Sequence, residues 1–170
     1  MTIPKPEHFF EQAEKLISTP VGGGALRHVD IRRAISAAYY GLFHATMAAA
    51  ADLVVGATKR SGNHYALAYR KTDHGVLKGL CADITNKSLP PKLARLAPSG
   101  GFDSNIRAFA TAVVALQLKR YSADYDPTFR PTKTDAKLDV LMARTALTAF
   151  QNADAASREA FIFLLLFPPR

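Results

Sequence analysis

A chain of 170 residues, 48% hydrophobic and 21% charged, is long enough to bury one core, and its composition excludes general disorder. Lys and Arg outnumber Asp and Glu by 22 to 14, and the net charge of +8 favours contact with nucleic acid or a nucleotide. The lone cysteine, Cys81, excludes an internal disulfide bond, and the lack of a secretory signal or of an apolar run of ~18 residues predicts a cytoplasmic protein without a membrane partner.

Helix signals dominate the first half of the chain. Apolar residues at three- and four-residue spacing predict a first helix over 7–18, which a turn rich in proline and glycine ends. A second helix is predicted over about 30–55, with Asp30 as its N-cap, and its length makes it the spine of the domain. A third helical stretch is predicted over 65–85, which Asp73 can divide by capping a new helix.

The second half of the chain is also helical. Further helices are predicted over 105–124, 136–152 and 155–167. Helical periodicity assigns Leu118 and Tyr121 to the buried face of the first of these, and Leu138 and Leu141 to that of the second. The last helix is apolar on all sides, so we expect it to be buried by this chain or by a second copy. Flexible loops are predicted at about 19–25, 56–63 and 86–101.

Ionisable and phenolic side chains line one face of the second predicted helix. At 100° per residue, Arg33, Tyr40 and His44 fall within about 40° of one another, with Arg33 and His44 about three turns apart. Either these residues form one side of a functional site, or Tyr40 is a core aromatic residue and His44 is an interior histidine with a satisfied hydrogen bond.

A second cluster ends the fourth predicted helix. Arg120 and Asp124 are four residues apart and can form an ion pair, and Tyr125 follows at the next position. An exposed pair of this spacing contributes only about 0.2–0.5 kcal/mol, so stability alone is a weak reason for it. Either this cluster ties the end of the helix to the following loop, or it faces the first cluster across a shared pocket.

Two segments carry a resemblance to a known family. They are Arg32-Arg33-Ala34-Ile35-Ser36-Ala37-Ala38-Tyr39-Tyr40-Gly41-Leu42-Phe43-His44-Ala45 and Arg120-Tyr121-Ser122-Ala123-Asp124-Tyr125-Asp126-Pro127. In residue identity, order and separation the two segments resemble motifs of the HEPN superfamily of small prokaryotic helical domains. The resemblance covers about residues 5–167. The resemblance implies one all-α domain over 1–170, an antiparallel four- to five-helix bundle with an additional C-terminal helix, which commonly forms a homodimer.

The resemblance also implies roles for individual residues. The nuclease members carry an arginine followed, after four to six residues, by a histidine. The arginine here is Arg120, but Tyr125 stands at the histidine position, and tyrosine, with an ordinary pKa near 10, is a poor base at neutral pH. If the two clusters face each other, His44 can replace the missing imidazole, so that the expected catalytic residues are Arg120, Tyr125 and His44. The expected substrate-binding residues are Arg33, Tyr40, Asp124 and His74.

Two functions stay open from the sequence. The first is an RNA- or nucleotide-binding protein, with metal-independent endoribonuclease activity in a toxin–antitoxin or defence system as its enzymatic form. The second is a non-catalytic binding or regulatory subunit that docks a partner such as a nucleotidyltransferase antitoxin. The sequence has no HExxH, CxxC, P-loop or GxGxxG pattern, so we expect neither a metal nor a cofactor.

Overall fold

The computed structural model describes residues 3–18 and 24–169, and these residues form helices and loops without a β-strand. The helices of this part of the chain are α1 (Pro6–Ile17), α2 (His28–Val55), α3 (Asn63–Tyr69), α4 (His74–Thr85), α5 (Pro91–Ala94), α6 (Ser104–Tyr125), α7 (Lys133–Asn152) and α8 (Ala155–Leu166). A 3₁₀ turn, Ala57–Lys59, follows α2. The all-α class predicted from the sequence is confirmed. None of the described helices combines the length and apolar character that crossing a bilayer requires.

The three long helices α2, α6 and α7 pack together with α1 around one hydrophobic core. The start of α2 meets the end of α6, since Arg32 bonds to the carbonyl of Ala123. Lys119 of α6 pairs with Asp139 of α7, and further along the same pair of helices Asn105 bonds to the carbonyl of Asn152. Both pairs of helices are therefore antiparallel, while α3 packs on α2, α4 packs on α6, and α8 contacts α2, α4 and α6.

The long helix α2 lies at the centre, and its buried surface carries small residues between larger ones such as Ile35 and Leu42. Ala34, Ala38 and Gly41 are buried there and allow neighbouring helices to approach closely. The ring of Phe10 from α1 lies directly over Gly41, and a Cβ atom at this position would collide with it. This contact fixes α1 against the middle of α2, next to the residues of the candidate site.

Side-chain caps fix the starts of several helices, and α7 begins at Lys133, capped by Thr132, three residues before its predicted start. Asp73 and Asp103 accept hydrogen bonds from backbone amides and cap α4 and α6, so the predicted division of the 65–85 stretch is confirmed. The prediction that Asp30 caps α2 is wrong: the helix starts at His28, and Asp30 lies in its first turn, paired with Arg27.

Four residues predicted to be buried are exposed: Leu118 and Tyr121 on α6, and Leu138 and Leu141 on α7. Helical spacing cannot decide which of two apolar faces meets the core. On α6, Leu118 lies on the line of Thr111, seven residues earlier, which is exposed as well. Tyr121 lies beyond the level of Gln117, at which α4 begins with His74.

The predicted loops contain more structure than expected. The segment 86–101 holds the short helix α5, and 56–63 holds the 3₁₀ turn and the first residue of α3. Of the predicted loop 19–25, residues 19–23 lie outside the described part of the chain. The short elements are local turns that carry too few residues for a periodic signal.

Candidate functional site

Two polar side chains of α6 contact α2 across the bundle. Arg120 Nη2 donates a 2.6 Å hydrogen bond to the Tyr40 hydroxyl, and Ser36 Oγ donates one of 2.6 Å to Asp124 Oδ1. Arg120 Nε lies 2.8 Å from Asp124 Oδ2, so the contacts join four side chains. We call Ser36, Tyr40, Arg120 and Asp124 the α2–α6 network. The two clusters named from the sequence lie against each other because α2 and α6 are antiparallel.

Arg32 holds the end of α6 in place. Its guanidinium donates to the carbonyl oxygens of Ala123, Phe129 and Asp126 at 2.7, 3.0 and 2.8 Å, and to that of Ser122 at 3.3 Å. The last carbonyl groups of a helix have no partner within the helix, and a cation at this end also interacts favourably with the helix dipole. Arg32 therefore fixes the position from which α6 presents Asp124 and Tyr125.

A groove of about 450 Å³ lies beside this network, between the start of α2 and the end of α6. Its lining residues are Val29, Arg32, Arg33, Ser36, Tyr40, Arg120, Ala123, Asp124 and Tyr125. Arg33 is exposed and has no ion-pair or hydrogen-bond partner among the described residues. The Tyr125 side chain is 62% exposed. The groove thus offers one unpaired guanidinium and one accessible aromatic ring.

Arg120 is a cation placed between two aromatic rings. Its guanidinium carbon lies 5.3 Å from the ring centre of Tyr40 and 5.6 Å from that of Tyr125. Burial alone would lower the pKa of Arg120, but the hydrogen bond to Tyr40 and the nearby Asp124 carboxylate outweigh it and raise the pKa. Arg120 is therefore charged, and Nη1 has no hydrogen-bond partner among the described residues.

His44 is not among the described residues that line the groove. Its Nδ1 atom lies 2.7 Å from the Tyr69 hydroxyl, and its ring stacks on Phe9 with the ring centres 4.7 Å apart. Burial, and to a smaller extent the charge of His74, lowers the pKa of His44. His44, on α2, is thus an uncharged imidazole at neutral pH and packs against α1 and α3.

His74, at the start of α4, lies between His44 and the network. Its Nδ1 atom is 2.9 Å from the Tyr39 hydroxyl, and its ring packs on Phe43 at 4.0 Å between ring centres. Tyr40 meets the same ring edge-on at 5.8 Å. Burial and the charge of Arg120 lower the pKa of His74, although Asp73 acts in the opposite direction. His74 supports Tyr40 from behind and, like His44, is outside the groove lining.

The structure therefore divides the predicted site residues into two groups. Arg33, Tyr40, Arg120, Asp124 and Tyr125 line one groove, whereas the two histidines pack behind it. Sequence reasoning did not place Ser36 or Arg32 in the site. A signal for Ser36 exists, because residues four apart share a helix face and Ser36 lies four before Tyr40.

The described residues contain no group of three or more His, Cys, Asp or Glu side chains that could hold a metal ion. Comparison of the chain with protein-family models, curated proteins and solved structures finds no match. The geometry of the groove is therefore the basis for a functional conclusion.

Proposed function

We propose that this chain is a HEPN-like helical protein that binds RNA or a nucleotide in the groove between α2 and α6. The observation that carries the proposal is the unpaired Arg33 in the same groove as Arg120, Tyr40 and Tyr125. Guanidinium groups bind phosphate oxygens with paired, charge-assisted hydrogen bonds. The net charge of +8 attracts a polyanion to the protein as a whole.

Two arginines of the groove, Arg33 and Arg120, are proposed to bind phosphate, and their environments differ. Arg33 is exposed and can turn toward a ligand, whereas Arg120 is fixed by Tyr40 and Asp124 and offers only Nη1. A fixed cation beside a mobile one suits a phosphodiester, since the first sets its position and the second adds affinity. The Asp124 carboxylate orients Arg120 through their ion pair. It also repels a ligand whose negative charge is not placed next to an arginine.

Base binding falls to exposed aromatic rings at the end of α6. The Tyr121 and Tyr125 side chains are each 62% exposed, and their ring centres lie 5.1 Å apart. Stacking of a base on an aromatic side chain contributes about 1–3 kcal/mol in single-strand binding proteins. Exposed Tyr rings beside guanidinium groups therefore suit the binding of RNA or a nucleotide.

A titration of fluorescent single-stranded RNA, followed by anisotropy at several salt concentrations, tests this proposal. Arg33→Ala is expected to weaken binding several-fold and to reduce the slope of log K against log salt by about 0.7, the value for one phosphate contact. The matched control is Lys87→Ala, which removes one charge from an exposed position after α4. That end of α4 meets Arg107 near the start of α6, far from the groove. Equal effects of the two variants would contradict the proposal.

A ribonuclease is the enzymatic form of the same proposal. Cleavage without a metal needs a proton acceptor at the 2′-hydroxyl and a proton donor at the leaving oxygen. His44 and His74 are uncharged at neutral pH and suited to accept a proton, but they pack behind Tyr40. Binding is therefore the primary proposal, and cleavage that depends on Arg120 and His44 is its extension. Loss of RNA cleavage in both Arg120→Ala and His44→Ala would support the extension.

The second candidate is a non-catalytic subunit that docks a partner such as a nucleotidyltransferase. The observation in its favour is that three of the groove side chains contact one another, since Arg120 bonds to Tyr40 and pairs with Asp124. In this case the α2–α6 network is a structural tie. Absence of RNA and nucleotide binding by the wild type, with a stable complex formed by an adjacently encoded nucleotidyltransferase, would favour it. The homodimer and the cytoplasmic location stay predictions.

A further inference from the structure

A cavity of about 660 Å³ lies between the start of α1, the second half of α2 and the end of α7. Its floor on α2 is a strip of three alanines, Ala45, Ala48 and Ala49. Leu147 and Phe150 of α7, both buried, form a wall beside the strip. Small-molecule sites in proteins have volumes of about 300–1,000 Å³ and mostly apolar linings. The cavity therefore has the size and the character of a ligand site.

A charged pair lies one helical turn beyond the alanine strip. Arg60 Nε and Nη2 donate to the two carboxylate oxygens of Asp52 at 3.0 and 2.5 Å, and the Tyr65 hydroxyl donates to Asp52 Oδ1 at 2.8 Å. Burial alone would raise the pKa of Asp52, but these hydrogen bonds outweigh it and lower the pKa. Asp52 is therefore an anion at neutral pH whose two oxygens already accept hydrogen bonds.

Two cations of the lining keep donors that no group of the described chain uses. They are Arg60, through Nη1, and Lys5, which is exposed just before α1. Ser61, next to Arg60, adds a hydroxyl group without a partner among the described residues. Glu7 also lines the cavity, but it lies in the first turn of α1, where the positive end of the helix dipole stabilises its charge. The free donors favour a ligand with a negatively charged acceptor.

We propose that this cavity binds an apolar carboxylate, such as a medium-chain fatty acid. The alanine strip and Phe150 contact the hydrocarbon chain, which leaves water when it enters the cavity. The carboxylate accepts charge-assisted hydrogen bonds from Arg60 Nη1 and a further one from Ser61. None of these residues lines the groove between α2 and α6. The proposal therefore does not depend on RNA binding in that groove.

Isothermal titration calorimetry of the full chain with octanoate tests the proposal, with octanol and octylammonium as ligands of the same chain length. Wild-type protein is expected to bind octanoate with a dissociation constant of about 0.1–1 mM, the range for a ligand of about ten non-hydrogen atoms. Octanol and octylammonium should bind at least about ten-fold more weakly, because neither forms a charge-assisted hydrogen bond with Arg60. No binding of octanoate at millimolar concentration, or equal binding of octylammonium, would overturn the proposal.

Two variants locate the bound molecule. Ala49→Leu fills part of the cavity floor and should weaken the binding of octanoate and of octanol alike. Arg60→Gln should weaken octanoate binding by about ten-fold or more, the equivalent of one hydrogen bond to a charged group. It should leave octanol binding unchanged, a difference that loss of the fold cannot produce. The matched control is Lys59→Gln, which removes the neighbouring charge outside the lining and should bind octanoate like the wild type.

Three results would overturn the assignment of this cavity. The first is an equal effect of Arg60→Gln and Lys59→Gln on octanoate binding. The second is unchanged binding in Ala49→Leu. The third is loss of binding in Phe163→Glu, because Phe163 is exposed on α8 and does not line the cavity. Circular dichroism checks that each variant is folded.

Discussion

Arg120 and Tyr40 are 80 residues apart in the chain, yet the guanidinium of one donates a 2.6 Å hydrogen bond to the hydroxyl of the other. The contact joins the end of α6 to the middle of α2. It also sets the cation of the groove beside an aromatic ring, 5.3 Å from the ring centre. The shape of the groove and the stability of the bundle therefore depend on the same pair.

Removing the Tyr40 hydroxyl tests that dependence. Tyr40→Phe is expected to lower the free energy of unfolding by about 1.5–3 kcal/mol, the range for a hydrogen bond to a charged group. Urea denaturation measures the change. Tyr125→Phe is the control, because the Tyr125 hydroxyl has no hydrogen-bond partner among the described residues and its loss should change stability little. A smaller effect at Tyr40 than at Tyr125 would contradict the structural role.

The neighbouring residues Arg32 and Arg33 are predicted to act separately on stability and on binding. Arg32→Ala should lower the free energy of unfolding by about 1.5–3 kcal/mol, because the carbonyl of Ala123 loses its donor and those of Ser122, Asp126 and Phe129 lose a second one. Arg33→Ala, at an exposed position without a partner, should change stability by less than about 0.5 kcal/mol. Arg32→Lys should restore only part of the loss, since an ammonium group cannot reach all four oxygens.

The separation is measured by urea denaturation together with RNA anisotropy. Arg33→Ala should weaken binding while it remains as stable as the wild type. If Arg33→Ala is the destabilising variant and Arg32→Ala is not, the assignment of the two arginines is wrong.

The contact between α1 and α2 predicts that alanine substitutions at two glycines change stability in opposite directions. Gly41→Ala should destabilise the protein by about 1–3 kcal/mol, because the new methyl group overlaps the Phe10 ring. Gly79→Ala, within α4, meets no atom within 4 Å and should stabilise the protein by about 0.5–1 kcal/mol through helix propensity. Thermal denaturation of both variants measures the difference. Equal effects would show that Phe10 does not lie over Gly41.

Stability is predicted to fall between pH 7.5 and pH 5.5. Burial lowers the pKa of His44 and of His74 below the ordinary value of about 6.5. The unfolded chain therefore binds protons first as the pH falls through 6.5, and unfolding becomes more favourable. The stability that the two uncharged histidines contribute is complete above pH 6.5. It declines as the pH falls from 6.5 toward the lower pKa values of the histidines in the folded protein.

Urea denaturation at both pH values measures this effect. His44→Gln and His74→Gln should each make stability less dependent on pH, whereas His8→Gln, at an exposed position on α1, should not. Stability that rises toward pH 5.5 in the wild type would contradict the burial of the two rings.

Sequence periodicity predicts the longer helices well here, and side-chain caps mark the starts of half of the described helices. Asp73 and Asp103 mark the starts of α4 and α6 by accepting amide hydrogen bonds. Periodicity also places Arg33, Tyr40 and His44 along one line of α2. It could not show that His44 is turned toward Phe9 and Tyr69, because those contacts come from other helices. The arrangement across the bundle depends on the antiparallel pairing of α2 and α6.

The same limit explains the exposed residues Leu118 and Tyr121. Their spacing fits a buried face, but Thr111, on the same line of α6 as Leu118, is exposed, and α4 covers only the line of Tyr121 further back along the helix. The cover stops where α4 begins, at the level of Gln117. A local sequence pattern cannot show where along α6 a neighbouring helix begins. The ring of Tyr121, which is thereby left exposed, is one of the two proposed to stack on bases.

Mapping the bound ligand by amide chemical shifts in the ¹⁵N-labelled protein is the most direct test of the proposed binding groove. A titration with single-stranded RNA, and in parallel with ATP, is expected to shift the amides of residues 29–40 and 118–126 progressively. Arg33→Ala should reduce those shifts. Shifts confined to other surfaces, or no shift with either ligand at millimolar concentration, would contradict the account.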